Sequence, residues 1–138
     1  MKLAINTTFI NKPKTKDDYK KICGSFENVE VSSEELSKLV QAGFAFCPQI
    51  KNNWKKASNF LCSDYLAVDI DEGVRLENML EHGFVKKYCS FIYTTPNHTE
   101  EDHRFRMVFE LEETITEPVM MKQAMSGISK KFGGDPSC

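Results

Sequence analysis

Tyr65-Leu66-Ala67-Val68-Asp69-Ile70-Asp71-Glu72-Gly73 is an apolar run that carries two carboxylates two residues apart and stops at a glycine. Read as a β-strand, it sends successive side chains to opposite faces. Asp69 and Asp71 then share one face, while Leu66, Val68 and Ile70 share the other. Two acids side by side at the end of a buried strand repel each other, so the pattern asks for positive charge between them. A divalent cation is the simplest candidate, and hard oxygen donors suit Mg2+ or Mn2+.

Downstream of this strand the periodicity changes. Leu76, Met79 and Leu80 predict a helix over about 74–82, with Gly83 as its cap. Cys89–Thr95 reads as a strand that runs into turn chemistry at Pro96-Asn97-His98-Thr99. The segment from His103 to Leu111 alternates most cleanly: Phe105, Met107, Phe109 and Leu111 point one way, and Arg104, Arg106, Val108 and Glu110 the other. So short a loop after Thr95 brings this strand back antiparallel beside its predecessor. Pro118 suits a first helical turn, and Lys130 and Lys131 suit a last one. A helix is therefore predicted from Glu117-Pro118 to about Phe132, stopped by Gly133-Gly134. The order strand, helix, strand, strand, helix is the βαββα portion of a ferredoxin-like or RRM-like unit. In such a unit the first and third strands lie adjacent, which puts Asp69 and Asp71 beside Arg104 and Arg106.

Upstream, residues 1–10 read as a short strand broken by Asn11-Lys12-Pro13-Lys14, and a short helix follows from Asp17 to about Ile22, closed at Gly24. Ser32 and Glu35 have capping-box spacing, Leu36, Leu39 and Val40 form an apolar stripe, and Gly43 stands at the expected C′ position. Phe44–Ile50 is strand-like. The basic stretch Lys51–Phe60 reads first as a solvated loop, but its place before the acidic strand would let Lys51, Lys55 and Lys56 hold polyphosphate. The expectation is an α+β chain: a small N-terminal α/β lobe over 1–64, an RRM-like palm lobe over 65–138 with a mostly antiparallel sheet, and an active site in the cleft between them.

Composition narrows the function classes. At 138 residues the chain is one domain with room for a real core. A net charge of −2 and a pI near 5.9 lack the basic excess of many DNA-binding domains, so any nucleic-acid contact must come from a local patch. No apolar run nears the roughly 20 residues that span a bilayer, and no signal peptide is visible; the expectation is a cytoplasmic protein without a membrane partner. Five cysteines, an odd number with no Cys-x-x-Cys pair, argue against zinc and against a disulfide framework.

The Asp and Arg pairs have a bland reading, a cross-strand salt bridge, and a functional one. In the second, carboxylates hold metal beside cations that take phosphate oxygens, with Arg favoured for its forked geometry. His98 falls in the turn next to the arginine strand, and Asp135 is a third carboxylate after the last helix. Such a set fits two-metal phosphoryl or nucleotidyl transfer.

In this order, Asp69-Ile70-Asp71, then Thr95-Pro96-Asn97-His98-Thr99 with His103-Arg104-Phe105-Arg106, then Asp135 resemble the three motifs of the archaeo-eukaryotic primase superfamily. The nearest resemblance is to the primase–polymerases of plasmids, phages and CRISPR-linked loci, where a basic stretch like Lys55-Lys56-Ala57-Ser58-Asn59-Phe60 precedes the D-x-D strand. It covers roughly residues 44–138. The resemblance implies a DNA primase or polymerase of bacterial, phage or plasmid origin that uses nucleoside triphosphates on a DNA template or primer. It implies two Mg2+ or Mn2+ ions on Asp69, Asp71 and Asp135, and no organic cofactor. Nucleotide binding falls to His98, Arg104, Arg106, Lys51, Lys55, Lys56 and Asn59, supported by Thr95, Asn97, Thr99 and His103. Family members continue past the third acid, so the chain reads as a truncated core or a small member, with a helicase or CRISPR-associated module as partner in a longer protein.

Two other readings stand beside it. Val68-Asp69-Ile70-Asp71-Glu72-Gly73-Val74 also resembles the first motif of haloacid-dehalogenase-like phosphatases, with Asp69 as nucleophile and Asp71 as general acid. That family expects Thr in place of Gly73, and a parallel sheet. The third reading is an RRM-like nucleic-acid-binding module without catalysis, whose stacking aromatics belong on the central strands, where this chain has Asp and Arg.

Overall fold

The computed structural model describes residues 1–6, 8 and 13–132. Its chain divides into two compact units, Met1–Asp64 with Glu112–Pro118, and Tyr65–Leu111 with the chain from Val119 onward. The architecture is α+β with antiparallel sheets.

In the first unit, β1 (Lys2–Asn6) is the middle of a three-stranded sheet between β2 (Phe26–Glu30) and β3 (Ala45–Cys47), antiparallel to both. Two helices punctuate it. For α1 (Lys16–Cys23), the Thr15 hydroxyl and the Asp18 carboxylate satisfy each other's backbone N–H groups in a capping box. For α2 (Ser33–Gln41), Ser32 Oγ accepts the Glu35 N–H at 3.1 Å, and Gly43 at φ 98° ends the helix where a side chain would be strained. Ala4, Phe26, Cys47 and Ile50 form one buried cluster of this unit, with Ile22 packed against them. The two-residue β4 (Gln49–Ile50) pairs with the beginning of β5 (Phe60–Ile70). Asn28 substitutes for a strand neighbour on β4: its amide donates to Ile50 O at 2.8 Å and accepts the Ile50 N–H at 3.0 Å.

The sequence does not announce β2. Glu27, Asn28 and Glu30 break any apolar alternation, and the strand exists because its backbone completes the edge of β1.

The second unit carries β5 from Tyr65 on, α3 (Leu76–Leu80), α4 (Gly83–Tyr88), β6 (Phe91–Thr94), β7 (Phe105–Ile115) as far as Leu111, and α5 (Pro118–Phe132) from Val119 on. Its strand order is β5-β7-β6, so the first and third strands of the βαββα unit are neighbours, as the sequence predicts. Val68, Ile70, Phe105, Met107 and Phe109 project from one sheet face into a core with Val85 and Phe132. Each such side chain contributes about 1.5–3 kcal/mol by leaving water. Register is fixed by that face, because a slip of one residue would turn Arg104 and Arg106 into the core.

The helix expected over 74–82 is the shorter α3, and a second helix, α4, follows it where a cap was expected. His82 takes an extended ψ of 128° and its Nδ1 accepts the Phe84 N–H at 3.2 Å, so Gly83 opens α4 instead of closing α3. Pro118 begins α5 as its chemistry dictates. Among the described residues no helix is long and apolar enough to cross a membrane.

Candidate functional site

The site lies on the face of β5, β7 and β6 away from the apolar core just described. Asp69 is the acid next to the end of β5, and Arg106 of β7 reaches it with a two-pronged contact: Nε donates to Oδ1, and Nη2 donates to Oδ2 at 2.6 Å. The Asp69 side chain is 17% exposed and that of Arg106 28%. A charge pair this far out of water persists only when the hydrogen bonds are well made, and the guanidinium fork matches a carboxylate. Tyr93 stands directly opposite Arg106 in the β6–β7 register, so Tyr93, Arg106 and Asp69 form one row across three strands. Phe91, two residues from Tyr93 on the same face, stacks on it with ring centroids 6.1 Å apart.

Asp71 behaves differently. β5 ends at Ile70, and Asp71 is exposed beyond it, so the strand ladder does not hold the second acid as the sequence pattern suggested.

The β6–β7 connection is tied down residue by residue. Thr95 donates its N–H to Arg104 O at 3.0 Å and its hydroxyl to the same oxygen at 3.3 Å. Pro96 and Asn97 make the turn, which the His98 N–H closes on Thr95 O at 3.0 Å. Thr99 Oγ1 accepts the Asp102 N–H at 2.9 Å, and Asp102 Oδ2 accepts Arg104 Nε at 3.0 Å. His98 Nδ1 accepts the Arg104 N–H at 3.0 Å. That nitrogen is therefore a lone pair, and in the neutral ring the proton is on Nε2, which remains a donor.

His103 is buried, and its ring lies 4.8 Å from that of His98. Its Nδ1 accepts the Leu76 N–H at 2.8 Å, which ties the first turn of α3, just past Asp71, to the arginine strand. Glu77 Oε2 is 3.7 Å from the same nitrogen, but an Nδ1 that accepts from Leu76 carries no proton to share with a carboxylate. Sequence reasoning gave His103 only a supporting place. Its contact spans 27 residues and leaves no local signal.

The other expected residues lie in the first unit or outside the described residues. Lys51, Lys55 and Lys56 are exposed. Asn59 is buried, donates its amide to Trp54 O at 2.9 Å, and accepts the Lys51 N–H on its backbone oxygen at 2.8 Å. Its side chain thus closes the lysine loop. Asp135 lies outside the described residues. Asp69 and Asp71 are oxygen donors of the kind Mg2+ and Mn2+ prefer, although no group of three metal-binding side chains converges among the described residues.

The chain matches no protein-family model, no curated protein and no solved structure.

Proposed function

We propose that this chain is a metal-dependent nucleotidyltransferase of the primase–polymerase kind, which starts or extends a DNA-templated strand from nucleoside triphosphates. The observation that carries the reading is the union, on one sheet face, of the D-x-D strand and the arginine strand through Asp69 and Arg106. In the reaction a 3′-hydroxyl attacks the α-phosphorus and pyrophosphate leaves. Mg2+ or Mn2+ held by Asp69 and Asp71 would lower the pKa of that hydroxyl and neutralise charge on the pyrophosphate. His98, its ring fixed by the Arg104 N–H, offers Nε2–H to a phosphate oxygen. Arg104 and Arg106 are paired with Asp102 and Asp69, and either guanidinium can exchange a carboxylate for a phosphate of the same fork geometry. His103 holds the α3 corner against His98 and so positions the two motifs. Asp135 is the third acid of this reading.

One observation favours a second reading. The Phe91–Tyr93 stack offers aromatic rings on the face of Arg106, on the edge strand β6 beside the central strands where an RRM-like module carries its base-stacking aromatics. The phosphatase alternative has less support, since β6 and β7 pair antiparallel and that family needs a parallel sheet.

Primer extension with and without Mn2+ tests the proposal. The Asp69→Ala/Asp71→Ala double variant should lose extension while keeping its far-UV circular dichroism. Extension retained by that variant would falsify the assignment. Metal-independent binding of single strands with no extension would leave the RRM-like module.

A further inference from the structure

Outside the Asp69 row, the first unit carries a basic surface with aromatic side chains. Lys16-Asp17-Asp18-Tyr19-Lys20-Lys21 and Lys51-Asn52-Asn53-Trp54-Lys55-Lys56 share the pattern Lys-x-x-aromatic-Lys-Lys. The fold brings the two segments together. The Lys55 N–H donates to Cys23 O at 2.8 Å. The Trp54 ring lies on the end of α1 so closely that a Cβ at Gly24 would stand 2.9 Å from it, and a side chain there would have to push the indole aside. Lys16, Lys20 and Gly24 are spaced four apart and lie along one helix stripe that ends at that ring, with Tyr19 beside Lys16 on the neighbouring stripe.

All six lysines are exposed, and only Asp17 and Asp18 oppose them within the two segments, in a chain whose net charge is −2. Tyr19 is 55% exposed and Trp54 43%. Large aromatics left in water among cations are poor core but good stacking platforms. The loop is also set in advance: Asn52 and Asn53 turn it at φ 58° and 51°, and the Asn59 amide holds Trp54 O.

We propose that this surface binds single-stranded nucleic acid, with lysines along the phosphates and Trp54 and Tyr19 stacked on bases. Charge complementarity selects a polyanion, and the exposed rings select one with bases. The surface uses none of Asp69, Asp71, His98, Arg104 or Arg106; Lys51, Lys55 and Lys56, which the family resemblance gives to the nucleotide, are assigned here to the strand, and the test reads strand binding and not nucleotidyl transfer.

Trp54 is the single tryptophan of the chain, which makes its emission a direct reporter. Oligothymidylate of about 12 nucleotides, within the usual site size, should quench that emission at low salt. By anisotropy, Trp54→Ala should weaken binding roughly tenfold while Trp54→Phe retains most of it. Lys16→Gln/Lys20→Gln/Lys56→Gln, all at exposed positions, should reduce the slope of log affinity against log salt by about 2. Should Trp54→Ala fail to fold, the lysine variant and the quenching carry the test. Unquenched emission, or wild-type affinity and salt slope in the lysine variant, would overturn the proposal. So would a blue shift on phosphatidylserine vesicles with no response to oligothymidylate, which would assign the surface to lipid.

Discussion

Arg106 grips Asp69 through both carboxylate oxygens, from the neighbouring strand and across 37 residues of sequence. Each partner helps to keep the other's charge tolerable at this depth. The two deletions are not equivalent, however. A short carboxylate on β5, 17% exposed, has little room to move further into water, whereas an arginine can extend its long stem toward solvent.

Arg106→Ala should therefore cost about 2–3 kcal/mol of stability, the scale of a lost hydrogen-bonded partner for a largely buried charge. Asp69→Ala should cost less, and the double variant should resemble Asp69→Ala alone. Urea unfolding of all four proteins gives the coupling directly. Strictly additive losses would mean that the contact contributes nothing.

His98 and His103 lie ring against ring but predict different failures. His98 accepts a backbone N–H within its own hairpin, so His98→Ala should leave the melting temperature within a few degrees and weaken nucleoside triphosphate binding. His103→Ala removes a buried side chain and the acceptor of the part-buried Leu76 N–H, and should destabilise by about 1–3 kcal/mol. His103→Asn, which keeps an acceptor near Nδ1, should recover part of that loss. Calorimetric titration with a triphosphate beside thermal melts separates the two effects; equal losses of stability in both Ala variants would remove the functional distinction.

The pair of strands that frames Asp69 was legible because both are written in period two: Val68 and Ile70 on one strand, Phe105, Met107 and Phe109 on the other, face one core. Ser32, Gly43 and Pro118 marked helix boundaries because caps act through adjacent backbone. What the sequence concealed depends on distant partners. β2 forms under Glu27 and Asn28 because β1 supplies an edge. His82 caps α4 with its own ring, a role that ranks behind the usual capping side chains. The face of Asp69 was readable and its partner guessable, but the bidentate form of the contact, the Tyr93 neighbour and the His103 bridge come only from the folded chain.

Cys47 is buried, and burial pushes its thiol up to about 11. At pH 8 its thiolate is scarce and its sulfur is covered, so aromatic disulfide reagents should modify Cys47 far more slowly than the half-buried Cys23. Peptide mapping after timed labelling reads the order, and equal rates would show that the sheet opens around β3.

Asp64 gives a prediction with a definite sign. Its Oδ2 accepts the Lys2 N–H at 2.7 Å, and its Oδ1 accepts the Thr114 hydroxyl. Burial alone would raise the carboxyl, but these hydrogen bonds, with the positive charge of Lys2 nearby, leave it below its ordinary 3.8. Folding therefore favours the ionised form. The stability this contributes is fully present above the unfolded value and is lost as the pH falls through the lower folded one. Asp18 and Glu77 are also lowered, so the whole protein should weaken in acid. The share due to Asp64 appears only as a difference. Asp64→Asn should start less stable at neutral pH and lose less between pH 5 and the acid limit, so that the two curves of urea midpoint against pH converge below about pH 4. Curves that stay parallel throughout would show that the link from β5 to Lys2 and Thr114 carries no charge-dependent stability.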